Sequence, residues 1–155
     1  MTDPGDGTPH EYLDATWGCW QAFGEVRSRE IRSRPYGKLA QRTVDAYAVQ
    51  HPGEPGRRQS QSVAVHLMSL CAQIERGMPG RLMPARIQYW LRPPKREFAW
   101  IDPPDPNGDL TILDVLAATD AEEHVRLVER WSGGIWQAWS AHHDSVRRWV
   151  DDLSR

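Results

Sequence analysis

AEEHVRLVERWSGGIWQAWSAHHDSVRRWVDDL, from Ala121 to Leu153, sets Val128, Ser132, Ile135, Trp139, His142, Val146, Trp149 and Leu153 at alternating spacings of four and three. That period draws one stripe along an α-helix. At 1.5 Å per residue the segment would reach about 50 Å, against roughly 30 Å for a small domain, so something must bend it. Gly133-Gly134 is the expected place, at about 1 kcal/mol of helix propensity per glycine. The apolar phase crosses the pair unbroken, so the segment reads as one kinked helix and not as two.

The same period recurs upstream. A first helix is expected from about Glu11 to Ile31, with Tyr12, Thr16, Cys19, Phe23, Val26 and Glu30 on one face, an apolar stripe ending in an acid. Pro35 breaks it. A second runs from about Tyr36 to Gln50 with Leu39, Val44, Tyr47 and His51 along one side, and Pro52-Gly53 stop it. After the polar loop GEPGRRQSQ, Ser60 or Ser62 is the expected N-cap of a third helix carrying Val63, His66, Leu67, Leu70, Cys71 and Ile74, with Gly77 as its stop. Residues 78–109 form a Pro-rich connection, since seven of the twelve prolines fall there and exclude a long helix. Its two short apolar runs, Ile87 to Leu91 and Phe98 to Ile101, leave two alternatives, a small hairpin or an irregular loop pinned by Trp90 and Trp100. Asp109 or Thr111 should cap a short helix to Ala118, and Thr119 or Asp120 the next. The fold class is all-α, a helical bundle of four to five main helices in one domain over 1–155, with residues 1–9 as a loose tail.

Composition narrows the function classes. A chain of 155 residues can bury one sizeable core, and 39% hydrophobic with 26% charged residues of both signs is a globular balance. A net charge of −2 lacks the basic footprint of a nucleic-acid partner. The patch Arg27, Arg29, Arg32 and Arg34 reads as a solvated helix end. No run approaches the roughly 18 apolar residues that span a bilayer, and the start lacks an apolar signal core, so no membrane partner and a cytoplasmic location are expected. Cys19 and Cys71 form no CxxC, neither a disulfide framework nor a zinc-finger pattern.

The candidate site consists of His51, His66 and His142, each on the apolar stripe of a different helix where an aliphatic residue would be ordinary. Imidazole ligates zinc, iron, nickel and copper, and three such ligands with one open position is the usual catalytic zinc arrangement. The expectation is that the three share a cavity and hold a divalent metal. Cys19, Glu30 and His143 are additional candidates, and Asp45, about 240° round the helix from His51, is a second-sphere partner or a surface acid. Against this stands the ordinary role of a histidine on an apolar face, a hydrogen-bonded core residue. HExxH, the Glu-x-x-His pair of di-iron bundles, GxGxxG, GxxxxGK[ST] and GxSxG are all missing, so no nucleotide cofactor is expected. The tryptophans Trp131, Trp136, Trp139 and Trp149 read as core and not as a base-stacking platform.

Thr43-Val44-Asp45-Ala46-Tyr47-Ala48-Val49-Gln50-His51-Pro52-Gly53 and Ser62-Val63-Ala64-Val65-His66-Leu67 resemble the bacterial domain-of-unknown-function family DUF5946. Cys19-Trp20, Trp90-Leu91 with Pro93-Pro94, and Trp136 through His142-His143 are similar too, so the likeness covers most of the chain. It implies no activity. Some members carry cysteines ahead of the position of Cys19 and a histidine where Gln41 stands; this chain has neither, which weighs against a cysteine-rich structural metal site. A looser likeness is to DinB-like bundles that hold a metal with three histidines, although their HxxxH is not found here. Two functions stay open: a metal-dependent hydrolase or transferase acting on a small molecule, and a non-enzymatic small-ligand or protein-binding domain with structural histidines.

Overall fold

The computed structural model describes residues 15–33, 36–93 and 96–155. Among them are seven α-helices and no strand: α1 (Trp17–Arg32), α2 (Ala40–Gln50), α3 (Arg57–Ile74), α4 (Met83–Trp90), α5 (Ile112–Leu116), α6 (Ala121–Ala138) and α7 (His143–Leu153). The expected tail and the first turn of the first predicted helix lie outside the described residues. So do Arg34 and Pro35.

The caps follow side-chain chemistry wherever a short oxygen is at hand. Thr16 accepts from the Cys19 N–H at 3.2 Å and starts α1. Thr111 and Asp114 form a reciprocal capping box on α5. Asp120 accepts from the Glu123 N–H at 2.8 Å, while the Glu123 carboxylate reaches back to Thr119. α3 departs from expectation. It begins at Arg57 behind Gly56, a turn before Ser60, which is buried inside the helix with its N–H on the Gly56 carbonyl. A glycine carries no capping oxygen to betray it, so the serines drew the boundary. At the other end Gly77 adopts φ +65° and the Met78 N–H closes on the Ala72 carbonyl at 3.0 Å, a left-handed C-terminal stop.

The Pro-rich connection corrects the hairpin expectation. A 3-10 turn, Gly80–Leu82, leads into α4, with Pro84 in its first turn where the missing N–H costs nothing. Met83 and Trp90 are buried and Ile87 packs beside them, a helical and not an alternating pattern. The described residues between α4 and Thr111 are irregular but held. Asn107 donates to the Val49 carbonyl at 2.8 Å and accepts from Trp139 Nε1 at 2.9 Å. Gln50 donates to the Asn107 and Leu110 carbonyls and accepts from Trp131 Nε1.

Gly133 and Gly134 remain within α6, which ends at Ala138; a 3-10 turn, Ser140–His142, separates it from α7, so the segment expected as one kinked helix is two helices. A β-carbon at Gly133 would meet nothing within 4 Å. A β-carbon at Gly134 would meet Asp109 Oδ1 at 3.4 Å, and one at Gly108 would meet Ile135 Cγ1 at 3.1 Å. A 3-10 turn advances 120° per residue instead of 100°, which shifts the phase of the stripe. After it the inward positions are His143, Val146 and Val150, and His142 is turned outward. α2 packs between α3 and α6, α1 lies on α5, and α7 on α3. Trp131, Trp139, Tyr47, Leu67, Met68 and Ile135 fill the centre.

Candidate functional site

The three expected ligands have separate partners. His51 ends α2 as its C-cap; its Nδ1 lies 2.9 Å from the Tyr47 carbonyl and its ring packs 4.3 Å from the Tyr47 ring. His142 Nε2 lies 2.9 Å from the Asp102 carbonyl near the surface. His66, in the middle of α3, turns its Nδ1 to Asp45 Oδ1 of α2 at 2.8 Å. The cleft lined by His66 includes neither of the other two. Among the described residues no group of three or more His, Cys, Asp or Glu side chains is placed to hold a metal ion.

The additional candidates are distributed in the same way. Cys19 is a half-buried free thiol beside Tyr47, whose hydroxyl is buried without a hydrogen-bond partner and is pushed well above the usual tyrosine range by burial and then by Cys19. His143 stacks on Trp136 at 3.9 Å, with Nε2 2.8 Å from the Trp136 carbonyl. Next to it Glu75 takes two hydrogen bonds from Arg147, at 2.8 and 2.9 Å, and one from Trp136 Nε1. The Arg147 guanidinium holds its carboxyl down at about 2. Burial, followed by the charge of Glu75, pushes the neighbouring Cys71 thiol up to about 11, so it is a poor nucleophile and a poor ligand.

Two buried carboxylates organise the rest. Glu30, the acid that ends the α1 stripe, accepts from Arg27 at 3.0 Å, from the Thr43 hydroxyl, and from His124 Nε2 at 3.0 Å. Arg29 can only donate, so its 3.2 Å approach to His124 Nδ1 makes that nitrogen the acceptor and leaves the ring proton on Nε2. Arg29 also donates to the Val115 and Leu116 carbonyls, closing the C-terminal end of α5. His124 and the Glu30 side chain are fully buried, and both ring nitrogens are occupied. Sequence reading passed over His124, although it continues the Val128 stripe by one turn.

Asp45 is the second. Its side chain is wholly buried, and its oxygens take four hydrogen bonds: Gln41 Nε2 and His66 Nδ1 on Oδ1, both at 2.8 Å, Ser69 Oγ at 2.6 Å and Gln73 Nε2 at 2.8 Å on Oδ2. His66, Ser69 and Gln73 recur at three and four residues on α3, so they form one stripe facing Asp45 and Gln41 on α2. With Nδ1–H committed to Asp45, Nε2 is the ring nitrogen left to exchange a proton. It makes no hydrogen bond among the described residues. The imidazole is one-fifth exposed and lines a cleft of about 290 Å³ with Ser62, Ile87 and Leu91, between α3 and α4. The partner of Asp45 is thus on the neighbouring helix and not His51 on its own.

No curated protein and no solved structure matches the chain. The profile of the family of unknown function DUF5946 matches residues 6–140. With that match running from ahead of α1 through the α2–α3 seam to the end of α6, the chain belongs to the DUF5946 family.

Proposed function

We propose that the α3–α4 cleft is a proton-transfer site for a small-molecule substrate. His66 acts as general base and acid through Nε2, in a hydrolysis or group-transfer reaction. The observation that carries this is the Asp45–His66 hydrogen bond of 2.8 Å, with the carboxylate wholly buried and the imidazole open to a cleft. A carboxylate on Nδ1 fixes the tautomer and the ring plane, so Nε2 is aimed without reorganisation when a substrate arrives. Gln41, Ser69 and Gln73 hold the carboxylate in turn, which makes Asp45 a positioning residue and not a catalytic one. No step is routed through a metal, because among the described residues no group of side chains that could ligate one comes together.

Positioned acid–base groups contribute on the order of 10²–10⁴ in rate. Nitrophenyl esters and nitrophenyl phosphates serve as generic probes. Turnover of one of them, lowered by about 100-fold or more in a folded His66→Gln variant, is the expected result. Diethyl pyrocarbonate followed by mass spectrometry should acylate His66 well before the sealed His124. Full turnover in His66→Gln, or equal acylation of the two histidines, defeats the proposal. The second reading makes the same cluster a structural clasp between α2 and α3, and is favoured by the burial of Asp45, Ser69 and Gln73. It is supported if His66→Gln mainly lowers stability and no probe is turned over.

A further inference from the structure

At the N-terminal end of α2, away from His66, lies a larger cleft of about 670 Å³. Lys38, Arg42, Arg81 and Glu129 of α6 are among its lining residues, three cations against one acid in a chain whose net charge is −2. Among the described residues none of the three cations has an ion pair or a hydrogen bond. Surface cations without partners are ordinary one at a time; three on one concavity concentrate positive potential. α2 begins beside it, with the N-cap Leu39 in its lining and no side-chain cap, so the positive end of the helix dipole lies nearby.

A separate observation comes from the floor of the cleft. Gln73 is only 4% exposed, and its Nε2 is fully used, donating to Asp45, to the Ser69 carbonyl and to the Ser69 hydroxyl. Its Oε1 accepts no hydrogen bond among the described residues, and Gln73 lines the cleft, so that oxygen is open to it. The space beside that oxygen exists because residue 80 is glycine: a β-carbon there would stand 2.9 Å from Oε1 and 3.1 Å from the Lys38 carbonyl. The cleft is therefore lined by Lys38, Arg42 and Arg81, with the Gln73 amide oxygen and the Lys38 carbonyl beside the same small space next to Gly80.

We propose that this cleft binds a small phosphorylated metabolite carrying a hydroxyl group. The phosphate sits among Lys38, Arg42, Arg81 and the first turn of α2, and the hydroxyl donates to Gln73 Oε1. A phosphate monoester, with a charge near −2 and three strong acceptor oxygens, matches three cations and a helix start better than a lone carboxylate does. Glu129 repels an anionic group, which keeps the phosphate beside the three cations. The proposal does not rest on the chemistry assigned to His66, and binding can be measured with no turnover.

Isothermal titration of the full chain at low ionic strength tests it, with glycerol 3-phosphate, inorganic phosphate and glycerol as probes. Glycerol 3-phosphate should bind more tightly than inorganic phosphate by about threefold or more, the share of one added hydrogen bond, and glycerol should not bind. Arg81→Gln, on an exposed turn, should weaken it by about fivefold or more, and Arg42→Gln with Arg81→Gln by about tenfold or more. Arg148→Gln on α7, which removes the same charge elsewhere, should leave the isotherm unchanged. No binding at millimolar phosphate ester would overturn the site, as would equal weakening by Arg148→Gln. Equal affinity for glycerol 3-phosphate and inorganic phosphate would overturn the role given to Gln73.

Discussion

Replacing Asp45 by asparagine keeps the shape of the side chain and exchanges one acceptor for a donor at the centre of the α2–α3 seam. Four donors converge on the carboxylate, two on each oxygen, at 2.6–2.8 Å. If the new amide nitrogen faces Ser69 and Gln73, the hydroxyl can turn to accept, but Gln73 cannot flip without losing its bond to the Ser69 carbonyl. If it faces Gln41 and His66, Gln41 must flip and His66 must move its proton to Nε2, which abolishes the base. Either arrangement replaces charge-assisted bonds, worth roughly 1.5–3 kcal/mol, by neutral ones of about 0.5–1.5 or by a donor–donor clash. Summed over the cluster and discounted for relaxation, Asp45→Asn should cost about 2–4 kcal/mol. For a domain of this size that is a fall in Tm of roughly 5–15 °C. Urea unfolding at an unchanged m-value reads the first number and calorimetry the second. Nitrogen chemical shifts of the His66 ring read the tautomer. A cost under about 0.5 kcal/mol, with the ring unchanged, would refute the claim that Asp45 organises the site.

Two further outcomes follow from the cluster around α7. Glu75 has its folded pKa depressed from 4.5 to about 2 by Arg147, so this ion pair contributes stability above pH 4.5 that is lost as the pH falls toward 2; acid unfolding of Arg147→Met should lack that share of the slope. Cys71 is fully buried with its thiol at about 11, so iodoacetamide at pH 8 should alkylate it only in denaturant; labelling in the native protein at the rate of a free thiol would show that the α3–α7 contact opens.

The helices were legible where two signals agreed. α6 carries an Asp120 cap and a stripe, and α5 a Thr111 cap, whereas Thr16, read as part of the α1 stripe, is instead the extended N-cap of a helix that begins at Trp17. Where one signal was silent the reading slipped. Gly56 starts α3 with no side chain to announce it. In α4 the run Ile87 to Leu91 is too short for its period to separate helix from strand, and only Met83 and Pro84 before it tip the balance. The bend went to the glycines because propensity named them, yet both stay helical and the helix ends later, at Ala138, before the 3-10 turn Ser140–His142. That error carried into the site. A 3-10 turn at Ser140–His142 alters the phase by tens of degrees, enough to exchange His142 for His143 on the inward face.

Periodicity fixes which face of its own helix a residue occupies and says nothing of who stands opposite. Asp45 and His66 were each placed on helices correctly, but their pairing depends on how α2 and α3 cross. The crossing also separates two clusters that look alike on paper, since each joins a buried carboxylate to a histidine. Burying an ion or a polar pair does not by itself stabilise a fold, and apolar replacements are often neutral or better. The Glu30–His124 pair has both ring nitrogens taken, no exposure, and Arg29 stitching it to α5; its whole capacity goes into holding α1, α2, α5 and α6 together. The Asp45–His66 pair spends one ring nitrogen on the fold and leaves the other at a cleft. The same two functional groups therefore do different things, and the difference is a single uncommitted nitrogen. That asymmetry is why the proton-transfer reading is placed on His66 and not on His124.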